Sequence, residues 1–252
     1  MMHLAAELAR QAGELTMRWF QPAAMAADAV TIDTKSDGTP VTEADRGAER
    51  LLRRELGARF PLDGFLGEED GEVPGTSGRR WVIDPIDGTT PFTLGVPLFS
   101  NLVALLDDTG PILGIINLPA LGLTIAAARG VGCYVNGQQT TVTPRATVAG
   151  SMVMTSGIET WSRGGIERLQ NAGARLRTWG DAYGYALVAL GRVEAMVDPI
   201  AALWDLAPMP VILSEAGGRF STLKGGFGPD GGNGVGSCGG PLHDELLALL
   251  AE

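Results

Sequence analysis

Asp84-Pro85-Ile86-Asp87-Gly88-Thr89, preceded by the apolar run Trp81-Val82-Ile83, is the stretch that says most about the fold of this chain. The apolar run predicts a buried strand, and Pro85 predicts a sharp turn where that strand ends. Two carboxylates three residues apart can then converge on one point and hold a pair of divalent ions through oxygen. Gly88 allows the backbone to approach an anion closely, and Thr89 supplies a hydroxyl. The loop therefore indicates a site for metal ions and a phosphate, with an ordinary Asp/Gly turn as the alternative.

Two other acidic segments can contribute to the same site. Gly67-Glu68-Glu69-Asp70 lies upstream, after the apolar pair Phe65-Leu66, and Trp204-Asp205 lies downstream. Adjacent carboxylates repel one another, and a bound cation relieves that repulsion. Taken singly, the first segment is typical of a solvated acidic turn, and Asp205 is typical of a helix N-cap. Their spacing relative to the Asp84 loop favours a shared metal site.

At this point the sequence resembles the inositol monophosphatase superfamily of magnesium-dependent, lithium-sensitive phosphatases. The family pattern is an acidic Asp, a Glu-Glu pair, Asp-Pro-Ile-Asp-Gly-Thr, and a Trp-Asp pair followed by eleven residues and Gly-Gly. This chain contains each element in order, namely Asp45, Glu68-Glu69, Asp84 to Thr89, and Trp204-Asp205 with residues 206–216 leading to Gly217-Gly218. The resemblance covers nearly the whole chain, and such a match is more specific than a single glycine-rich loop.

The fold that the resemblance implies is an α/β fold, specifically the layered α-β-α-β-α sandwich of this superfamily. We expect a single phosphatase domain over residues 1–252, made of two packed lobes with the metal site between them. The metal-binding lobe would span about 1–145, and the lobe that carries the substrate residues and the C-terminus would span about 146–252.

Hydrophobic periodicity predicts the individual elements. Helices are expected over residues 3–20, from Thr42 to about residue 58, and over 163–173, 181–191 and 205–216. Asp45 would lie in the first turn of the second of these helices. Strands are expected over 81–84, 100–107, 112–118, 122–128, 151–155, 175–178, 194–198 and 219–222, with a hairpin turn at Asn136-Gly137. The glycine-rich residues 224–240 are expected to form a surface loop before a last helix.

Composition excludes several classes of protein. The 252 residues include 29 acidic and 19 basic ones, and the formal net charge of -10 argues against binding nucleic acid through its phosphates. No apolar run approaches the roughly 20 residues needed to span a bilayer, and no leader segment is recognised at the N-terminus, so we expect a cytoplasmic protein that does not bind membranes. The only histidines, His3 and His243, lie away from every motif, which argues against histidine catalysis and a histidine-rich zinc site.

The resemblance also assigns the metal ligands. Glu68 and Asp84 would bind a first Mg²⁺ ion together with the backbone carbonyl of Ile86. Asp84, Asp87 and Asp205 would bind a second ion, and a third, often seen in the family, would be held largely by water and Glu68. The site would thus take two or three Mg²⁺ ions, whose preference for oxygen ligands and retained waters suits these residues.

The catalytic residues implied by the family are Thr89, Asp45 and Glu68. Thr89, hydrogen-bonded to Asp45, would position the attacking water and help to deprotonate it. One ion would lower the pKa of that water while another stabilises the leaving alkoxide. The backbone N–H groups of Gly88 and Thr89 would bind phosphate oxygens. Lys35 is a further candidate near the metals, although a solvated lysine in a loop explains it equally well.

The substrate would contact the residues Asp87, Gly88, Thr89, Asp181, Asp198 and Asp205. Family members that hydrolyse inositol phosphates usually have small residues where this chain has Asp181, and usually a Glu where it has Asp198. The added carboxylate favours a substrate with a positive charge. Gly180-Asp181-Ala182-Tyr183, Gly95-Val96-Pro97 and Phe65-Leu66 look like the histidinol-phosphate phosphatase branch, whose substrate carries an amine and an imidazole. Alternatively, Asp181 caps the helix over 181–191.

Two departures from that branch keep other activities open. Thr90-Pro91-Phe92 stands where the branch often has a basic residue, and Ala201-Ala202-Leu203 stands where it often has a lysine. Inositol-1-monophosphatase is the second choice, followed by other sugar or nucleotide monoester phosphatases and by a noncatalytic relative that only binds phosphate ligands. The partners expected from the family are a small-molecule phosphate monoester and a second copy of the chain in a homodimer.

Overall fold

The structure, a computed structural model, describes residues 1–21, 33–34, 40–41, 43–226 and 231–251. The helices of these residues are α1 (Met2–Met17), α2 (Glu43–Arg59), α3 (Thr89–Thr93), α4 (Arg163–Asn171), α5 (Ala182–Ala189), α6 (Leu203–Leu206), α7 (Met209–Glu215) and α8 (Gly240–Leu250). The predictions for Lys35 and for a helix start at Thr42 lie outside the described residues. None of the described helices is long and apolar enough to cross a membrane.

The strands of the described residues fall into three sheets. In chain order they are β1 (Asp33–Thr34), β2 (Pro40–Val41), β3 (Gly64–Gly67), β4 (Gly71–Val73), β5 (Arg80–Asp87), β6 (Ser100–Asp107), β7 (Gly110–Leu118), β8 (Leu123–Ala128), β9 (Gly132–Val135), β10 (Gln138–Gln139), β11 (Met152–Met154), β12 (Arg175–Arg177), β13 (Ala195–Ala201), β14 (Arg219–Ser221) and β15 (Gly232–Ser237). The large sheet has the order β10-β9-β8-β7-β6-β5-β3-β4, and the second has the order β12-β11-β13-β15-β14. Strands β1 and β2 form a separate pair.

The helices cover both faces of the large sheet. On one face, α1 and α2 pack apolar side chains such as Leu8 and Leu52 against Trp81 and Ile83 of β5. On the other, α5 and α7 contribute to a core that joins the large sheet to the five-stranded sheet. Helices α4 and α8 pack together, and α8 lies against β15. Because α5 is apolar on all sides, it suits this place between two sheets. The predicted α-β-α-β-α sandwich is confirmed.

The two main sheets come from different parts of the chain. All strands of the eight-stranded sheet precede residue 140, and all strands of the five-stranded sheet follow residue 151. Their cores are continuous, since Ile116 of β7 and Ile212 of α7 belong to one buried cluster. The division of one domain into two lobes near residue 145 stays a prediction.

The hairpin turn at Asn136-Gly137 is confirmed. Val135 of β9 pairs with Gln138 of β10, which leaves a two-residue loop. Both loop residues have positive φ, 47° for Asn136 and 82° for Gly137. That backbone is the one for which asparagine followed by glycine is favoured in tight hairpins.

The prediction of a surface loop over residues 224–240 is wrong. Residues 232–237 form β15, which lies between β13 and β14 inside the second sheet. Its glycines serve packing: a Cβ on Gly236 would lie 2.6 Å from Leu213 Cδ1 and 2.8 Å from the Tyr185 ring. Glycine in a strand often marks such a close approach, so the composition resembles that of a loop for a different reason.

Three further differences concern the predicted elements. The helix expected over 205–216 is divided into α6 and α7 at Pro208, which has no N–H for a helical hydrogen bond. The strand expected over 81–84 continues through Pro85 to Asp87, so the expected sharp turn is wrong. The short strands β3, β4, β9 and β10 carry too little apolar patterning to be predicted as strands.

Candidate metal and phosphate site

Asp84 and Asp87 come together because β5 contains a β-bulge between them. Asp84 pairs with Leu102 of β6 and Asp87 pairs with Ser100, so β5 has one more residue than β6 over this stretch. In a regular strand, residues three apart point to opposite faces of the sheet. The extra residue cancels that alternation and turns both carboxylates to one side. The carbonyl of Pro85, inside the bulge, accepts a hydrogen bond of 2.7 Å from Asn101 Nδ2.

Asp205 brings a third carboxylate to the same place. One oxygen of each of Asp84, Asp87 and Asp205 lies within 4.8 Å of the others. Asp205 lies at the third position of α6, where its Oδ2 accepts the backbone N–H of Ala202 at 2.8 Å. The alternative reading of Asp205 as an N-cap is therefore wrong, because Ala202 holds that position. Its other oxygen is available to a ligand.

The hydrogen bonds of the other two aspartates differ. Oδ2 of Asp87 accepts the Ser100 hydroxyl and the backbone N–H of Ala182, each at 2.8 Å. Oδ1 of Asp84 is buried and has no hydrogen-bond partner among the described residues. A buried carboxylate oxygen without a donor is costly, and a bound cation would supply the missing interaction.

Burial and mutual repulsion raise the pKa values of the three carboxylates in the cluster. Burial raises the pKa of Asp84 well above its usual value, and the charges of Glu68, Asp87 and Asp205 add to this effect. Burial also raises the pKa of Asp87, with Asp181 and Asp205 adding to it. For Asp205, burial raises the pKa to about 7 despite the hydrogen bond from the Ala202 backbone N–H. Divalent cations would keep all of these groups ionised.

The cluster forms one wall of a cavity of about 480 Å³. Seven acidic residues line it: Glu68, Asp84, Asp87, Glu159, Asp181, Asp198 and Asp205. No basic side chain lines it among the residues that the structure describes. A phosphate would be repelled from such a surface by direct Coulomb interaction, so anion binding here needs cations that the described residues lining the cavity do not provide.

The chain matches the inositol monophosphatase family over residues 1–252, and its carboxylate cluster is built from that family's motifs. It belongs to the inositol monophosphatase family. Among proteins of this family it is 40% identical to the histidinol-phosphatase of Chlorobaculum parvum, with 100% of this chain and 96% of that protein covered. It is 41% identical to the histidinol-phosphatase of Mycobacterium tuberculosis, with 98% and 96% covered. With the inositol-1-monophosphatase of Rhizobium meliloti it shares 35% identity, over 79% of this chain and 77% of that protein.

Solved structures of the family show the same fold. The extragenic suppressor protein suhB of Bartonella henselae superposes with a TM-score of 0.89 at 26% identity, over 100% of this chain and 98% of that one. The IMPase of Thermotoga maritima superposes with a TM-score of 0.87 at 30% identity, over 98% and 95%. The resemblance to the inositol monophosphatase superfamily is confirmed over the whole chain.

The residues that we expect to bind the phosphate, Gly88 and Thr89, line the cavity together with the cluster. Gly88, with a φ of 80°, precedes the short helix α3, and Thr89 begins it. The Thr89 hydroxyl donates to the carbonyl of Ile86 at 3.1 Å. Asp45 is fully buried in the first turn of α2. The Thr89–Asp45 hydrogen bond and the metal contact of the Ile86 carbonyl stay predictions.

Two predicted substrate residues, Asp181 and Asp198, line the same cavity. Asp198 is buried in the middle of β13, where its Oδ1 accepts the Ser156 N–H at 3.1 Å and the Ser156 hydroxyl at 2.8 Å. Burial raises its pKa to about 6. Asp181 occupies the N-cap position of α5, but its side chain makes no capping hydrogen bond. Its Oδ2 lies 2.7 Å from where a Cβ on Gly88 would be. Capping alone therefore does not explain this carboxylate.

Sequence reasoning missed three residues around the family site. Ser100 and Ser156 bind Asp87 and Asp198, but each depends on strand pairing that the sequence does not display. Tyr185 lines a small extension of the cavity, about 80 Å³ in volume, together with Asp198. Its spacing of four residues from Asp181 in a predicted helix is the signal that could have revealed it.

Proposed function

We propose that this protein is a Mg²⁺-dependent phosphatase that hydrolyses histidinol phosphate to histidinol and inorganic phosphate. The observation that carries the proposal is a cavity with seven carboxylates, three of them converging on one point, in a chain that shares about 40% identity with histidinol-phosphatases over its whole length. Inositol-1-monophosphatase is the second candidate, since a relative of that name is 35% identical over most of the chain.

The donor set fits magnesium. Asp84, Asp87 and Asp205 offer converging carboxylate oxygens, and Asp84 Oδ1 is buried without a hydrogen bond from the described residues. Glu68 lines the same cavity and is the charge that most perturbs Asp84 after burial. We propose that these residues and the Ile86 carbonyl hold two or three Mg²⁺ ions. When bound, the ions would activate a water and stabilise the leaving alkoxide.

The protein groups around the ions would orient the reactants. Ser100 and the N–H of Ala182 fix one oxygen of Asp87 and so hold the carboxylate in place beside the cluster. Thr89 and Asp45 would hold the attacking water and receive its proton. The backbone N–H groups of Gly88 and Thr89 would bind the phosphate oxygens, because Gly88 has no side chain to keep the phosphate away.

Carboxylates of the cavity outside the cluster would recognise the leaving group. Asp181, Asp198 and Glu159 all line the cavity, and Asp181 is the one that stands where inositol phosphatases usually have a small residue. Burial raises the pKa of Asp181, and a nearby ammonium or imidazolium would favour its ionised form. A cationic leaving group therefore gains more from Asp181 than inositol does. The proposal includes a homodimer, which rests on the family resemblance alone, and a cytoplasmic location, which rests on the sequence-based expectation.

The test is phosphate release from L-histidinol phosphate and from myo-inositol 1-phosphate, measured side by side with Mg²⁺ and with a chelator. We expect a large preference in kcat/KM for histidinol phosphate, and no release with the chelator. Preference for inositol 1-phosphate would support the second candidate and leave Asp181 with a structural role. Mg²⁺-dependent binding of both esters without release would indicate a noncatalytic relative.

A further inference from the structure

Glu49 is a fully buried carboxylate that lies outside the cavity. It lies on α2, one turn after Asp45 and one turn before Arg53, and none of its surface is exposed. Its Oε1 accepts Arg53 Nε at 2.7 Å and the backbone N–H of Asp70 at 3.1 Å. Its Oε2 accepts the backbone N–H of Glu69 at 2.8 Å. A buried carboxylate is tolerated because an ion pair and two amide donors replace its water.

Arg53 extends this arrangement. Its guanidinium pairs with Glu49 and also donates to the backbone carbonyl of Gly71. The two side chains, hereafter the α2 clamp, thus bind the backbone of three consecutive residues, 69 to 71. Helix α2 is itself fixed to the core through buried Leu52 and Leu56, so the clamp has a rigid base.

The clamped turn is the one that carries Glu68. Strands β3 and β4 pair through Gly67 and Gly71, which leaves Glu68 as the first of three turn residues. The backbone N–H of Glu68 donates to the carbonyl of Ile83 at 3.3 Å, next to Asp84. Its backbone is therefore held by β5 on one side and by the clamp on the other.

The approach of this turn to α2 requires glycine. A Cβ on Gly67 would lie 2.0 Å from Glu49 Oε1, which no side chain could tolerate without displacing that carboxylate. The Gly-Glu-Glu motif thus has a structural reason beyond its carboxylates, because the glycine lets the strand lie against the buried Glu49.

We propose that Glu49, held by Arg53, is a positioning residue that places Glu68 against Asp84 and thereby sets the affinity of the site for divalent cations. The inference rests on the proposed function, in which Glu68 is a metal ligand. When a residue that holds a metal ligand in place is lost, the affinity of the protein for the metal commonly falls by about 10-fold to 100-fold. A role in folding alone would change stability and leave that affinity intact.

The test measures Mn²⁺ binding to the substrate-free protein by electron paramagnetic resonance, with Mn²⁺ standing in for Mg²⁺ because both prefer oxygen ligands. We expect Glu49→Gln to weaken Mn²⁺ binding about 10-fold or more. The matched control is Asp63→Asn, since Asp63 is also a buried carboxylate, bound to Ser77, Arg79 and Trp81 away from the clamped turn. This control should lose a similar amount of thermal stability and keep its Mn²⁺ affinity.

Hydrogen exchange supplies a local readout. The amides of Glu69 and Asp70 should exchange faster in Glu49→Gln, and they should be unchanged in Asp63→Asn. If Glu49→Gln does not fold, Arg53→Lys replaces it, because lysine lacks the planar fork of donors with which Arg53 binds Glu49 through Nε and the Gly71 carbonyl through Nη2. We expect a smaller loss of Mn²⁺ affinity in that variant.

The outcomes separate the two proposals. Wild-type protein that binds Mn²⁺, together with a folded clamp variant of unchanged affinity, would overturn the positioning role and leave the proposed function standing. Wild-type protein that binds no divalent cation would overturn the metal-dependent function itself, whatever the variants do.

Discussion

The backbone N–H of Ala182 donates a hydrogen bond of 2.8 Å to Oδ2 of Asp87. This bond joins the first residue of α5 to the end of β5, across 95 positions of sequence. Oδ2 of Asp87 is thus committed to the protein, while one carboxylate oxygen of Asp87 lies within 4.8 Å of oxygens of Asp84 and Asp205. The helix that carries Asp181 is thus fixed directly to a proposed metal ligand.

Asp87→Asn should lower kcat/KM on histidinol phosphate by about 100-fold or more, because an amide is a poorer metal ligand than a carboxylate. Steady-state phosphate release at saturating Mg²⁺ measures this effect. Ser100→Ala is the companion variant, since it removes one hydrogen bond to Asp87 and leaves the carboxylate in place. That variant should lose much less activity. Full activity in Asp87→Asn would remove Asp87 from the metal site.

Gly88→Ala should lower kcat/KM by about 10-fold or more, because its Cβ would lie 2.7 Å from Asp181 Oδ2. Its control is Gly78→Ala. Gly78 has a similar φ, 77° against 80°, but a Cβ there would meet nothing within 4 Å. Both variants should lose about 1 kcal/mol of unfolding free energy from the positive φ.

Denaturant unfolding and phosphate release on both glycine variants separate the two effects. Equal activity in Gly78→Ala and Gly88→Ala would show that contact with Asp181 does not matter to the site. Lost activity in Gly88→Ala alone would show that the phosphate loop and α5 must approach closely.

Some features of the site and the fold can be predicted from the sequence, and others cannot. The motif from Asp84 to Thr89 predicts the carboxylates of the site, because residue types and their spacing indicate metal-binding chemistry. The bulge that turns Asp84 and Asp87 to one side was not predicted, since it depends on pairing with Ser100. Likewise, the glycine-rich composition predicts a loop at Gly236, whereas the structure has a strand there. Composition cannot distinguish a glycine that lets neighbouring side chains pack closely from one that lets the backbone bend.

Asp181→Asn should reduce kcat/KM on histidinol phosphate by about 10-fold and change it less than about twofold on inositol 1-phosphate. The reason is loss of one attractive charge worth about 1.4 kcal/mol to a cationic leaving group. Asparagine keeps the shape and any capping ability of the side chain. Equal losses on both substrates would make Asp181 a general structural residue of the pocket.

His243, on α8, is buried between two serine hydroxyls. From this environment we expect the stability of the protein to depend on pH. Its Nε2 lies 2.9 Å from Ser221 Oγ, and its Nδ1 lies 2.8 Å from Ser237 Oγ. Because the Ser221 hydroxyl already donates to the carbonyl of Thr222, it can only accept from the ring. Nε2 therefore carries the proton, and Nδ1 accepts from Ser237.

This arrangement suits the neutral ring. Burial, together with the positive charge of Arg219, lowers the pKa of His243 from 6.5 to about 4, although the negative charge of Asp244 opposes the shift. Between these two pH values the unfolded chain binds a proton that the folded protein does not, so stability should fall as the pH decreases from about 6.5 to 4. The loss due to His243 would be at most about 3.5 kcal/mol, at about 1.4 kcal/mol for each pKa unit.

His243→Gln should remove that part of the pH dependence, because glutamine can donate and accept hydrogen bonds but does not titrate in this range. Urea unfolding of both proteins at pH 7, 5.5 and 4 gives the change of unfolding free energy with pH for each. Subtracting the change in the variant from that in the wild type cancels the titration of the carboxylates that both share. The variant should be less stable than wild type at pH 7 and should lose less stability on acidification. Parallel curves for the two proteins would show that His243 does not take up a proton on unfolding in this range.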